Sequence, residues 1–377
     1  MMKPLGTMIL PVSGECNLNC GYCYRANKRS GKFGVMSEEM LEEFIRKYMG
    51  YNSVNPAFGW QGGEPLLAGI DYYDKVVKLQ KEYNPGNALI SNNIQTNGTL
   101  INKDWACFFK ENRFLVGVSL DGPAEYNDFV RTDASGKPTF KRVLNGIKVL
   151  KEYDVDYNIL LVIHKYNVRH AVKILKFFAN NGLKYIQLIP CIDFCEKTGD
   201  VTKFSIEPEE YAGFLCTFFD EWVKQDDPGF YINMIDIIMH SYLGFVPPYC
   251  VFNKGCADII TVDINGDVYP CDFFVADKWK LGNIAHDTIG KMFTTDVYRE
   301  YMRKMNDIPV ECRDCKWFFA CRGGCMRYNR FLPRGQAGNY LCSAYKEIFP
   351  YYFEGFNKIM NGRNSRLKRL MSGLLSF

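Results

Sequence analysis

The chain has 377 residues with Lys+Arg 46 against Asp+Glu 42, a formal charge of +4, which is too long for one small domain and ample for a large core plus a smaller one. Its charges are spread, with no long basic block before the tail, which argues against nucleic-acid binding; its first apolar run stops at Pro11 and Ser13, too short for a signal peptide or a membrane span. The expected location is the cytoplasm, where thiols stay reduced, so fifteen cysteines point to metal ligation rather than a disulfide framework.

From Thr7 to about Pro190, short apolar runs alternate with amphipathic stretches. Strands are expected at residues 8–10, 57–60, 89–94, 115–118, 157–163 and 185–189, with helical patterns between them at 38–49, 72–83, 140–153 and 168–180. Six strand–helix units imply a parallel sheet. Six rather than eight imply an α/β fold of the partial (β/α)6 barrel kind, whose chemistry sits where strands end and loops begin. Polar and glycine-bearing segments fall at those ends: residues 13–23, then Gln61-Gly62-Gly63-Glu64, Gln95-Thr96-Asn97-Gly98 and Ser119-Leu120-Asp121-Gly122. That coincidence gathers them into one expected site.

Glu207-Pro208-Glu209-Glu210 opens a long helix to about Lys224, with proline in its first turn and acids near its positive end. It reads as a bridge between domains. Beyond it, residues 259–262 and 267–269 flank Asn265-Gly266, a strong hairpin signal whose turn would need positive φ at both central residues. Folding there returns Cys271 to the end of the hairpin that Cys256 occupies. The expected divisions are a barrel over 1–205, a helical bridge over 206–248, a loop-rich metal domain over 249–345 and a helical tail over 346–377. In that tail Lys358, Arg363, Arg366, Lys368 and Arg369 form a solvated face.

Cys16, Cys20 and Cys23 stand in a C-x3-C-x2-C run, and Cys250, Cys256, Cys271, Cys312, Cys315, Cys321, Cys325 and Cys342 follow, so eleven cysteines are grouped. A four-iron cluster takes four protein ligands, so eleven thiolates fill two clusters and leave a third with one iron open to a small molecule. Iron–sulfur is favoured over zinc because the four histidines (His164, His170, His240 and His286) stand apart from the cysteine motifs. A zinc ribbon at Cys312, Cys315, Cys321 and Cys325 is the competing reading. The spacing of these last cysteines requires only a loop shaped by metal. Cys107 and Cys216 lie on helical patterns as small core residues, while Cys191 and Cys195 follow the sixth strand near the expected site.

The run Cys16-Asn17-Leu18-Asn19-Cys20-Gly21-Tyr22-Cys23-Tyr24 resembles the signature of radical S-adenosylmethionine enzymes. The resemblance implies that the open iron binds S-adenosylmethionine and that an electron from the cluster cleaves it to a 5′-deoxyadenosyl radical. Gly62-Gly63-Glu64-Pro65 is similar to the GGEP motif that contacts the methionine amino group, a task suited to residues with no Cβ. By local match Ser119 and Asp121 would bind ribose and methionine groups, and Arg131 would pair with the methionine carboxylate through its planar fork of donors. Tyr22 and Ile192 would use backbone atoms on the adenine. Gln61, Gln95 and Asn97 line the same strand ends as candidate substrate contacts.

The second half resembles the twin auxiliary-cluster domain called SPASM: Cys256-x9-Gly266-x4-Cys271 fits its spacing, as do the C-x2-C-x5-C-x3-C run and a last cysteine. The nearest resemblance is to anaerobic sulfatase-maturating enzymes, which convert a serine or cysteine of a sulfatase to Cα-formylglycine. It implies three [4Fe-4S] clusters, with Cys250, Cys256, Cys271 and Cys325 holding one auxiliary cluster and Cys312, Cys315, Cys321 and Cys342 the other. It also implies a sulfatase polypeptide with a Cys/Ser-x-Pro-x-Arg motif as partner and a ferredoxin or flavodoxin as electron donor. The oxidation removes two electrons and two protons, so a base is required. The matching aspartate is Asp272, in Tyr269-Pro270-Cys271-Asp272-Phe273-Phe274. The alternative is a SPASM-type maturase that installs a thioether or other crosslink in a ribosomal peptide; such enzymes commonly carry an N-terminal leader-binding domain, and fifteen residues precede Cys16. An electron carrier without catalysis would need neither the open iron nor the GGEP turn.

Overall fold

The structure is a computed structural model that describes residues 5–26, 34–52, 54–194, 201–247, 249–253, 256, 259–329, 338–362 and 365–374. Cys195 and Arg363 lie outside the described residues. The strands are β1 (Gly6–Ile9), β2 (Ala57–Trp60), β3 (Ser91–Thr96), β4 (Leu115–Ser119), β5 (Tyr157–Ile163), β6 (Tyr185–Pro190), β7 (Tyr231–Ile232), β8 (Ile259–Val262), β9 (Asp267–Tyr269) and β10 (Gly282–Asn283). Between β1 and β6 lie α1 (Glu38–Tyr51), α2 (Ile70–Glu82), α3 (Lys103–Glu111), α4 (Ala124–Val130), α5 (Phe140–Glu152) and α6 (Ala171–Asn180). Then come α7 (Pro208–Gln225), α8 (Asn233–Tyr242), α9 (Ile289–Met292), α10 (Asp296–Asn306), α11 (Val310–Arg313), α12 (Phe318–Cys321), α13 (Met326–Asn329), α14 (Cys342–Asn361) and α15 (Arg366–Leu374). The fold is α/β with a mostly parallel sheet that does not close, the partial barrel expected from the strand–helix alternation.

The chain divides into two compact units. The first comprises Met1–Ser119, Asp128–Tyr157 and Gly255–Asn306. Its strands order as β10-β9-β8-β1-β2-β3-β4, with Gly6 opposite both Ala57 and Ile259. Strand β1 is therefore flanked in parallel by its sequence neighbour and by a strand from far down the chain.

Local chemistry sets the helix starts here. The Ser37 hydroxyl accepts from Met40 N–H at 3.2 Å and opens α1, with Glu38 and Glu39 in the first turn where the helix dipole favours acids. The apolar face of α1 buries Leu41, Phe44, Ile45, Tyr48 and Met49, and the Tyr48 ring meets Phe58 of β2 edge-on at 4.9 Å. Beneath the sheet a reciprocal amide pair forms: Asn92 Nδ2 donates to Gln80 Oε1 at 2.9 Å and Gln80 Nε2 donates to Asn92 Oδ1 at 3.0 Å, where Trp60 Nε1 also donates at 3.0 Å. Buried polar atoms are satisfied there, which locks α2 and β3 in register with β2.

The hairpin appears where expected, β8 against β9 with Thr261 opposite Tyr269. Its turn differs from the expectation. Four residues, 263–266, connect the strands, Gly266 N–H returns to Asp263 O at 2.8 Å, and Gly266 at φ 81 lies in the left-handed region while Asn265 does not. A longer loop built on an ordinary turn needs one left-handed residue, whereas a two-residue loop needs two.

The second unit comprises Leu120–Asn127, Asn158–Lys254 and Asp307–Phe377. Its strands order as β5-β6-β7, all parallel. Helix α7 starts with a capping box, in which the Glu207 side chain accepts from the third helical N–H and the Glu210 carboxylate accepts from Glu207 N–H at 3.2 Å, with Pro208 in the first turn. It packs on α14, where Phe219 and Tyr352 lie 4.3 Å apart and Tyr352 Oη donates to Leu215 O at 3.0 Å. The cysteine-rich stretch is more regular than expected: Cys312 and Cys321 lie within the one-turn helices α11 and α12, and Cys342 begins α14. In the tail Lys358, Arg366 and Arg369 are exposed and Lys368 half-buried. Among the described residues no helix is long and apolar enough to cross a membrane.

Candidate active site

The loop after β1 carries Cys16, Cys20 and Cys23, all half-buried. Its backbone is tied down where Asn19 N–H donates to Thr132 O at 2.7 Å and Gly21 N–H to Val130 O at 2.8 Å. This brings the Arg131 guanidinium over the Tyr22 ring at 5.3 Å. Leu18 N–H lies 3.4 Å from Cys16 Sγ and the Asn97 amide 3.7 Å from it. Donors aimed at a sulfur favour its thiolate form and tune whatever it ligates. Asn97 Nδ2 also donates to Asn17 Oδ1 at 2.8 Å, and Asn17 Nδ2 to Thr99 Oγ1 at 3.0 Å, so the end of β3 buttresses the cysteine loop.

The turn after β2 is pressed against the same loop. Gly63 N–H donates to Ser13 O and Glu64 N–H to Glu15 O, each at 2.8 Å. Gly62 has φ 123 and a Cβ on it would stand 2.6 Å from Ser13 O; a Cβ on Gly63 would overlap the Glu15 backbone oxygen. Both glycines are thus demanded by the approach of one backbone to another, before any ligand is considered. Glu64 is fully buried and knits the strand ends together: Oε1 accepts from Leu66 N–H at 3.0 Å and from Thr96 Oγ1 at 2.7 Å, and Oε2 from Asn97 N–H at 2.7 Å.

Burial outweighs those three hydrogen bonds and pushes the Glu64 carboxyl up from 4.5 to about 7. The sign of the consequence follows from linkage. A folded-state pKa above the unfolded one contributes stability that is complete below about pH 4.5 and is lost as pH rises through about 7, an effect on the order of 3 kcal/mol. Denaturant titrations at pH 5 and pH 8 are expected to show wild type losing markedly more stability than Glu64→Gln over that interval. Equal losses in the two proteins would remove Glu64 as the source.

Gln95 Nε2 donates to Ser119 Oγ at 3.1 Å, joining the ends of β3 and β4. Gln61 N–H donates to Ile9 O at 2.9 Å and its side-chain amide contacts Met8 Sδ. Asp272 follows β9 and is 6% exposed. Both its carboxylate oxygens are engaged: Tyr24 Oη donates to Oδ2 at 2.7 Å and the Cys271 thiol to Oδ1 at 3.3 Å. The Tyr24 ring also packs on Phe273 at 5.1 Å. Burial, reinforced by the Asp272 charge, raises the Tyr24 phenol well above its usual range, so it stays a donor. Arg25, buried beside it, donates from Nη2 to the Asp272 carbonyl at 3.2 Å. Sequence reasoning missed Tyr24 and Arg25 as partners of Asp272, because nothing in local spacing marks a contact across 248 positions. Their place directly after Cys23 was the available signal.

In the second unit Asp121 is fully buried, its Oδ1 accepting from Val162 N–H at 3.0 Å with His164 Nε2 4.0 Å from Oδ2. Ile192 is buried. Burial pushes the Cys191 and Cys216 thiols up to about 12, as befits cysteines packed as small apolar residues. Cys321 is also pushed up to about 12, first by burial and then by the neighbouring charges of Cys342, Cys312 and Cys315. Cys312 rises for the same reasons. Thiols whose charges act on one another resist ionising together unless a cationic group sits among them. Burial first, and then the charges of Cys325, Cys191 and Cys250, hold the Tyr328 phenol above its ordinary range. In the first unit, Cys256 and Cys271 lie just outside the two ends of the β8–β9 hairpin. Among the described residues no three Cys, His, Asp or Glu side chains close on one point as a single metal ion requires.

The Radical SAM superfamily model matches residues 10–178, and the model of an iron-sulfur cluster-binding domain, SPASM, matches residues 252–316. A cysteine-type anaerobic sulfatase-maturating enzyme of Clostridium novyi (strain NT) is 38% identical, the alignment covering 92% of this chain and 95% of the relative. The chain belongs to the anaerobic sulfatase-maturating enzymes. A serine-type anaerobic sulfatase-maturating enzyme of Bacteroides thetaiotaomicron is also 38% identical, over 93% of this chain and 89% of the relative. The structure of native anSMEcpe with bound AdoMet and Cp18Cys peptide superposes with a TM-score of 0.88 at 37% identity, covering 95% of this chain and 99% of that one. This sulfatase-maturating family member is therefore a protein-modifying radical SAM enzyme.

Proposed function

We propose that this enzyme oxidises a serine or cysteine side chain of a sulfatase to Cα-formylglycine, with Asp272 as the base. The observation that carries the reading is the buried Asp272 carboxylate, adjacent in sequence to Cys271 and held by Tyr24 Oη at 2.7 Å. The residues fit the groups that the family uses. Cys16, Cys20 and Cys23 would hold the first cluster; Gly62, Gly63, Glu64, Ser119, Asp121, Arg131 and the backbones of Tyr22 and Ile192 would hold S-adenosylmethionine. Cys321 and the three cysteines whose charges act on it, Cys312, Cys315 and Cys342, are proposed to hold one auxiliary cluster, and Cys250, Cys256, Cys271 and Cys325 the other. When bound, the first cluster and S-adenosylmethionine would supply a radical that removes a hydrogen atom from the substrate β-carbon and an auxiliary cluster would accept the second electron, which with the proton taken by Asp272 completes the two-electron oxidation; a cysteine substrate would also exchange its sulfur for water to reach the aldehyde.

The work of the chain's own side chains is different. Asp272 takes the proton of the substrate hydroxyl or thiol, a task for an acceptor with a lone pair free to turn toward the substrate. Tyr24 orients that carboxylate, and Phe273 packs on the Tyr24 ring. Gln61, Gln95 and Asn97 are proposed to contact the peptide. The target is a sulfatase segment of Cys/Ser-x-Pro-x-Arg type, the location is the cytoplasm and the electron donor is a ferredoxin or flavodoxin.

Mass spectrometry of peptides with Cys-x-Pro-x-Arg and Ser-x-Pro-x-Arg cores, after anaerobic incubation with enzyme, reductant and S-adenosylmethionine, tests the reading. A mass change matching aldehyde formation at the core residue is expected. Consumption of S-adenosylmethionine with both peptides unmodified, or with a crosslinked product, would overturn it.

A further inference from the structure

We infer that Arg25 sets the reduction potential of the auxiliary cluster held by Cys271, by placing a buried positive charge one peptide away from that ligand. The inference rests on the proposed role of Cys271 and goes beyond it. Arg25 is 2% exposed, so its charge is withdrawn from water. Its Nη2 is anchored on the Asp272 carbonyl at 3.2 Å, its guanidinium carbon lies 5.2 Å from the centre of the Tyr24 ring, and its Nε has no hydrogen-bond partner among the described residues.

Burying an arginine costs several kcal/mol unless negative charge compensates it. Tyr24 beside it, then Asp272 and Asp263, offset the burial and hold the guanidinium charged, above its ordinary range, and one Asp272 oxygen also accepts from Tyr24 Oη. A four-thiolate cluster on Cys271 would supply further compensating charge. The reverse effect follows from the same electrostatics. A cluster gains negative charge on reduction, so a fixed cation in a low-dielectric setting stabilises the reduced form more than the oxidised one and raises the potential. Arg25 also follows Cys23 by two residues, so one cation links the loop of the first cluster, through a single hydrogen bond, to the backbone of the residue after Cys271.

Redox titration of the reconstituted holoenzyme, followed by electron paramagnetic resonance, tests this in wild type, Arg25→Lys, Arg25→Met and Arg25→Gln. At fixed potential the reduced fraction of one auxiliary cluster, relative to its oxidised form, is expected to fall about tenfold in Arg25→Met, a shift of about 59 mV for one electron. The other auxiliary cluster stays in place and Arg25→Lys retains most of the wild-type value. Arg25→Gln serves as the uncharged variant should Arg25→Met fail to fold. Unchanged auxiliary midpoints in the uncharged variants, a shift confined to the cluster on Cys16, Cys20 and Cys23, or a lysine variant that shifts as far as methionine would overturn the inference. Wild type lacking auxiliary-cluster signals altogether would instead overturn the ligand role of Cys271.

Discussion

Asp272→Asn is expected to leave cleavage of S-adenosylmethionine measurable while formylglycine falls by about 10²–10⁴-fold, the range over which a positioned general base acts. Asparagine keeps the shape of the side chain and can still accept from Tyr24 Oη, which in the native chain lies 2.7 Å from Oδ2. What it loses is the capacity to take a proton and hold it. The two readouts separate because the proposal assigns cleavage to the cysteine loop and the Gly62-Gly63-Glu64 turn, and deprotonation to the residue after Cys271. Quantifying 5′-deoxyadenosine and modified peptide in the same reaction checks it. Wild-type formylglycine yield in Asp272→Asn would sink the assignment of the base.

Cys16→Ala is expected to abolish cleavage itself. Three thiols on one short loop can hold three corners of a cluster, and losing one leaves too few anchors to keep it. Cys16 is also the sulfur toward which Leu18 N–H and the Asn97 amide point, at 3.4 and 3.7 Å, so its removal strips those contacts as well. Iron content should fall from roughly twelve to about eight per chain, with the auxiliary clusters intact. Chromatographic detection of 5′-deoxyadenosine with an iron assay on the same sample decides it. Persistent cleavage in Cys16→Ala would make the radical chemistry untenable.

The parts of this site that could be read from sequence share one property: they are local. C-x3-C-x2-C fixes the reach between thiols because only a few bonds separate them, and the Gly62-Gly63-Glu64 turn is contiguous. Asp272 was found through its covalent neighbour, Cys271. The strand–helix alternation likewise predicted β1 to β6 because each element carries its own pattern over several residues. The one-turn helices at Val310–Arg313 and Phe318–Cys321 went unread, since four residues are too short to display a helical period.

What tertiary structure decided is long-range. The pairing of Gly6 with Ile259 sets β8 beside β1, and its hairpin then carries Asp272 to Tyr24 and Arg25 across some 248 positions of chain. No residue pattern at either end encodes that meeting, because it is enforced by sheet register and core burial rather than by propensity. The same holds for Gly62 and Gly63, whose presence was legible but whose cause was not: the backbone of residues 13–15 lies where their side chains would be. Sequence alone determined which groups are available to ligate metal and to move a proton, since those are properties of residue type and short spacing. The fold decided which of them meet and which charge is buried beside which ligand, since distance and dielectric exist only once the chain is packed.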